Sequence, residues 1–124
     1  MTFAEFAAES VRRPWEWGVQ DCTMWAADWC VARWGVDPAT AFRGEYSTEA
    51  GATRLIRDAG GLVDLVAPSM GFLTGKADPA DGDVGVIDVL GRQTAGVFVG
   101  GKWAFRTKAG IGFVQCRPLI VWGD

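Results

Sequence analysis

The chain contains no histidine. It therefore lacks the commonest general base and the commonest zinc ligand. A Cys–His or Ser–His hydrolytic mechanism is excluded for this chain alone. Cysteine is scarce as well: Cys22, Cys30 and Cys116 are three in number, widely spaced and without a C-x-x-C pair. That pattern excludes a disulfide framework and a zinc knuckle, and assembly in a reducing cytosol is the simplest expectation. No metal set and no cofactor motif is present. No apolar run approaches the ~20 residues needed to cross a bilayer. The longest, Val84 to Leu90, is broken by Gly85 and Asp88. The first residues carry Glu5 and Glu9 in place of the basic start and apolar stretch of a signal peptide. A basic stripe is also missing. The 12 Lys and Arg are outnumbered by 15 Asp and Glu, so a nucleic-acid platform is not expected.

What is present suits one globular domain over residues 1–124, with 49% apolar and 22% charged residues. Thr2-Phe3-Ala4-Glu5 has the form of a capping box, opening a helix from Phe3 to Val11 that stops before Pro14. Pro14 to Gly18 reads as an aromatic loop. Asp21 can cap a second helix, Cys22 to Arg33 or Trp34, with Gly35 as its stop. Asp37-Pro38 suggests a short helical turn. Ser47 or Thr48 can cap a third helix to Asp58, ended by Gly60-Gly61. Leu62 to Ala67 allows one more turn, and Gly71 to Asp83 reads as loop.

The pattern then becomes β-branched. Val84–Val89, Gly96–Val99, Trp103–Arg106, Ile111–Cys116 and Leu119–Trp122 read as strands. Gly91-Arg92, Gly100-Gly101 and Ala109-Gly110 supply the turns. Helices followed by an antiparallel meander of about five strands make an α+β domain.

Cys22 is the residue with chemical potential. It falls in the first turn of a helix, where the partial positive charge favours thiolate. The competing reading is a small buried hydrophobe on the face of Trp25 and Trp29. Cys30 and Cys116 read as core. Asp78, Asp81 and Asp83 lack EF-hand spacing, and Gly100-Gly101-Lys102 lacks the lead of a phosphate loop.

Trp17-Gly18-x-x-Asp21-Cys22, Gly82-Asp83-Val84-Gly85-Val86 and Ala95-Gly96-Val97-Phe98-Val99-Gly100-Gly101 together resemble the motifs of NlpC-type cell-wall peptidases. The resemblance implies a papain-like fold with its nucleophile on a helix N-terminus. Cys22 takes the nucleophile position, and Thr94 takes that of the catalytic histidine. Threonine cannot act as a general base at neutral pH, so the implied site lacks its base. Over nearly the whole chain, Asp37-Pro38, Arg43-Gly44-Glu45-Tyr46-Ser47, Gly82-Asp83, Ala95-Gly96-Val97 and Trp122 resemble a small phage and prophage family. That family looks like a degenerate branch of the same fold.

The second resemblance implies a catalytically inactive domain used as a structural piece of a virion tail tip or baseplate. Its implied partners are other phage tail proteins, such as a hub or distal-tail ring, with peptidoglycan contact as a further possibility. An active peptidase or amidase on peptidoglycan stems is the first alternative. It would need a base such as Asp21, Asp83 or a group from a neighbouring chain. A cytosolic tail-assembly factor is the second. Trp15, Trp17, Arg43 and Tyr46 are residue types that dominate interface hot spots. With the Gly71–Asp83 loop, they form the expected partner surface. Cys22 is expected to face the sheet, with Thr94 or a strand neighbour across from it.

Overall fold

The computed structural model describes residues 1–124. Helix α1 spans Phe3–Ser10 and opens on the full capping box, Thr2 and Glu5 exchanging side-chain and backbone bonds. Helix α2 spans Cys22–Trp34, capped by Asp21 and ended by Gly35 in the left-handed conformation. Helix α3, Glu49–Ala59, is capped by Thr48 and stopped by Gly60, and the short α4 covers Leu62–Val66. The stretch opened by Asp37-Pro38 forms hydrogen-bonded turns instead of a helix. There the Asp37 side chain accepts from Ala39 N, and Arg43 N donates to Ala39 O.

The sheet has six strands, one more than the sequence suggested: β1 Thr74–Lys76, β2 Val84–Val89, β3 Arg92–Val99, β4 Lys102–Arg106, β5 Ile111–Val114 and β6 Ile120–Gly123. Their order is β1-β6-β2-β3-β4-β5, with every pairing antiparallel. The additional strand, β1, lies inside the segment read as loop. It forms because β6 offers a free edge and because Lys76 Nζ reaches the buried Asp83 carboxylate at 2.6 Å. Strand β3 begins at Arg92 and not at Gly96, since the β2–β3 turn is Leu90-Gly91 and Arg92 already pairs with Val89. Leu90 and Gly91 both have positive φ, 53° and 84°, the signature of a twist-matched two-residue hairpin. Gly100-Gly101 repeats that geometry at the β3–β4 turn.

The core lies between the helices and one face of the sheet. Trp25 and Trp29 of α2 pack with Phe6 of α1 and with Val84, Val86, Ala95 and Val97 of the sheet. Phe6 lies 5.5 Å and 5.3 Å from the two indoles, and Phe3 meets both edge-on. Each indole N–H is satisfied: Trp25 donates to Ser10 Oγ and Trp29 to Gly82 O. Truncating either indole to alanine would cost about 3–5 kcal/mol. The opposite sheet face carries its own cluster of Ile87, Trp103 and Val121. Trp103 lies over Gly85, where an added Cβ would sit 2.8 Å from the indole. That close approach requires glycine.

Candidate functional site

Asp21 places Cys22 at the first position of α2. Its Oδ1 accepts from Met24 N at 2.9 Å, fixing the helix start. The Cys22 sulfur lies near Ala95 of β3, with Thr23 Oγ1 3.9 Å away. Thr94, the neighbour of Ala95, lines a cleft together with Cys22. The Ala95 N–H and the Arg92 charge favour thiolate, but burial and the adjacent Asp21 carboxylate outweigh them and push the thiol pKa up. The activated thiolate that a helix N-terminus suggested is therefore not what this environment produces. Cys30 is buried among core side chains and pushed up to about 12. Cys116 is raised by burial and by Asp88.

Two sequence motifs interlock around Asp21. Its Oδ2 accepts from Gly18 N at 2.9 Å and from the Tyr46 hydroxyl at 2.5 Å. Gly44 N donates to Gly18 O, and Gly18, at φ 82°, leaves no room for a Cβ against the Tyr46 carbonyl. Arg43 binds Asp37 through Nε at 2.8 Å and Asp28 through Nη2 at 2.8 Å. Burial and the Asp21 bond raise the Tyr46 phenol well above its usual range. Arg43 and Tyr46 thus bind groups within their own chain and hold the 37–46 segment against α2. Both residues, assigned from sequence to a partner surface, also brace the fold from within.

Trp15 and Trp17 do line an open site. Their rings meet edge-to-face at 5.0 Å. Cys22 forms the ridge between two clefts. One, of about 400 Å³, runs between α2, the Tyr46 segment and α3. The other, of about 270 Å³, lies between the tryptophan loop and the sheet. Asp83, considered as an alternative base, is remote. Its carboxylate is engaged by Lys76 Nζ and Ala80 N, and it lines neither cleft beside Cys22. The chain holds no cluster of three or more candidate metal ligands. No helix is long and apolar enough to cross a membrane.

Residues 1–122 match the family described as Domain of unknown function (DUF6950). The chain belongs to that family. No curated protein and no solved structure matches it. For this DUF6950 member, sequence reading missed four charged residues that border the second cleft: Glu49, Arg92, Arg106 and Lys108. Arg92 and Lys108 lie 5.9 Å and 5.8 Å from the Trp17 ring, and Arg92 pairs with Glu49 at 3.1 Å. Arg92 follows the Leu90-Gly91 turn and Lys108 lies within the Thr107–Gly110 turn, and neither is part of a charge run. Nothing local distinguished them from ordinary surface charges.

Proposed function

We propose that this protein is a catalytically inactive, papain-like domain of the NlpC type that serves as a structural component of a phage or phage-like tail tip. The observation that carries the inactive reading is the set of groups around the Cys22 sulfur. Across from it stands Ala95 of β3, while Thr94 pairs with Ile87 on the opposite sheet face and shares only the lining of the neighbouring cleft with Cys22. Beside it stands Asp21, whose two oxygens are engaged by Met24 N, Gly18 N and the Tyr46 hydroxyl. None of these takes a proton from the thiol. General-base assistance is worth roughly 10²–10⁴ in rate. A cysteine at the N-terminus of a helix packed on an antiparallel sheet supports the NlpC-type resemblance. The tail role rests on the second resemblance, whose Asp37-Pro38 and Arg43–Ser47 stretches are held against α2 by Asp28 and Asp21.

The reading is tested by two measurements. Mass spectrometry of purified particles should find the chain at stoichiometric amount. Its absence from particles would overturn the structural role in favour of an assembly factor that leaves. Incubation with peptidoglycan stem peptides should yield no cleavage. Turnover abolished by Cys22→Ser would establish an active peptidase.

A further inference from the structure

The cleft of about 270 Å³ beside Cys22 has an unbalanced set of polar groups. Arg106 on its wall is only 4% exposed. Its terminal nitrogens donate to the carbonyls of Arg13, Thr107 and Gly110, at 2.7, 2.8 and 3.1 Å. It forms no ion pair, and its Nε is buried with no acceptor. Trp15 Nε1, on the same wall, is also buried with no acceptor. Both orphaned groups can only donate. An unpaired buried donor is costly, and more so when charged. Lys108 adds a second cation with no carboxylate partner, and the only carboxylate on the wall is Glu49, already paired with Arg92.

We propose that this cleft is a binding site for a peptide carboxylate. The carboxylate balances the charge of Arg106 and Lys108, neither of which has an ion-pair partner. The Trp15 and Trp17 rings, with Val89 and Phe105, provide apolar walls for the stem that carries it. An inorganic anion would leave those walls uncovered, which is why the site fits a carboxylate on an organic chain. Glu49 competes for Arg92 across an exposed pair, an interaction worth little in water. The inference stands whether or not the protein is part of a tail, so failure of the particle experiment leaves it intact.

Indole N–H signals of the ¹⁵N-labelled protein provide the test, assigned through Trp15→Phe and Trp17→Phe. The probes are acetyl-Ala-Glu-Ala-amide, the same peptide with Gln for Glu, acetyl-Ala-Ala-Ala with a free C-terminus, and inorganic phosphate. The Trp15 and Trp17 signals should move with the glutamate peptide or the free-terminus peptide, and not with the glutamine peptide. Which of the two acts separates a side-chain carboxylate from a chain end. Lys108→Gln, on an exposed side chain, should weaken binding about 2–5-fold, and Glu49→Gln should strengthen it by a similar factor. No movement at concentrations several-fold above about 1 mM would overturn the proposal. So would equal movement with the glutamine peptide or with phosphate alone.

Discussion

The Tyr46 hydroxyl donates to Asp21 Oδ2 across 25 residues of sequence, while the other oxygen of that carboxylate caps α2. One side chain therefore fixes the start of the helix that bears Cys22 and anchors the segment covering it. Tyr46→Phe should lower stability by about 1.5–3 kcal/mol, the range for a hydrogen bond to a charged group. Asp21→Ala should cost more, because it removes the cap and leaves Gly18 N without its acceptor as well. Urea denaturation measures both. A Tyr46→Phe change of only a few tenths of a kcal/mol would mean that the bond adds nothing over hydration.

Cys22 should react slowly with iodoacetamide at neutral pH, its rate still climbing above the ordinary thiol range, because burial and Asp21 both hold the pKa up. Asp21→Asn removes the neighbouring charge, so its rate–pH profile should move to lower pH. Peptide mapping by mass spectrometry separates Cys22 from Cys116 and the buried Cys30. Fast alkylation that is flat down to about pH 5 would contradict the assignment and favour an active enzyme.

Asp28 and Asp37 share Arg43 but differ in sign. Hydrogen bonding to Arg43 lowers the Asp37 pKa below 3.8. Its stabilising contribution is thus present above the unfolded value and lost as pH falls through the folded one. Burial raises the Asp28 pKa above 3.8 despite Arg43. The penalty for its charge is present at neutral pH and relieved as pH falls through the folded and then the unfolded value. Asp37→Asn should therefore cost stability at pH 7 and much less at pH 3, while Asp28→Asn should cost less than Asp37→Asn at pH 7. Denaturation curves at the two pH values decide it; a reversed order would reverse the assignment of the buried charge.

Leu90 is fully exposed and has φ 53°. A left-handed conformation costs a residue with a Cβ roughly 1 kcal/mol or more, and asparagine tolerates it better. Leu90→Asn should raise stability by about 1 kcal/mol, because the exposed leucine side chain buries no apolar surface that the change would give up. A drop in melting temperature would show that the leucine side chain contributes to the hairpin in solution.

Local chemistry made most of the fold readable. Thr2 with Glu5, Asp21 with Gly35, and Thr48 with Gly60 each delimit a helix through bonds made within a few residues. Gly100-Gly101 marked its hairpin for the same reason. Strand β1 was not readable, since Thr74-Gly75-Lys76 has no alternation of its own and exists through its partners in β6 and Asp83. The site divides in the same way. The place of Cys22 at the start of α2 followed from its Asp21 cap. The internal roles of Arg43 and Tyr46, and the donor-rich wall around Arg106, depend on contacts between segments distant in sequence.

The position of β6 also bears on the order in which the chain folds. Strands β2 to β5 form a meander of sequence neighbours, whose contacts need only short loops to close. Strand β1 has no partner except β6, and β6 must first find β2. Closing that long loop carries a larger entropic cost before any contact repays it. On that ground the β2–β5 meander is expected to form first and the β1–β6 edge to join late. Mutations in β1 should then speed unfolding and leave the folding rate nearly unchanged.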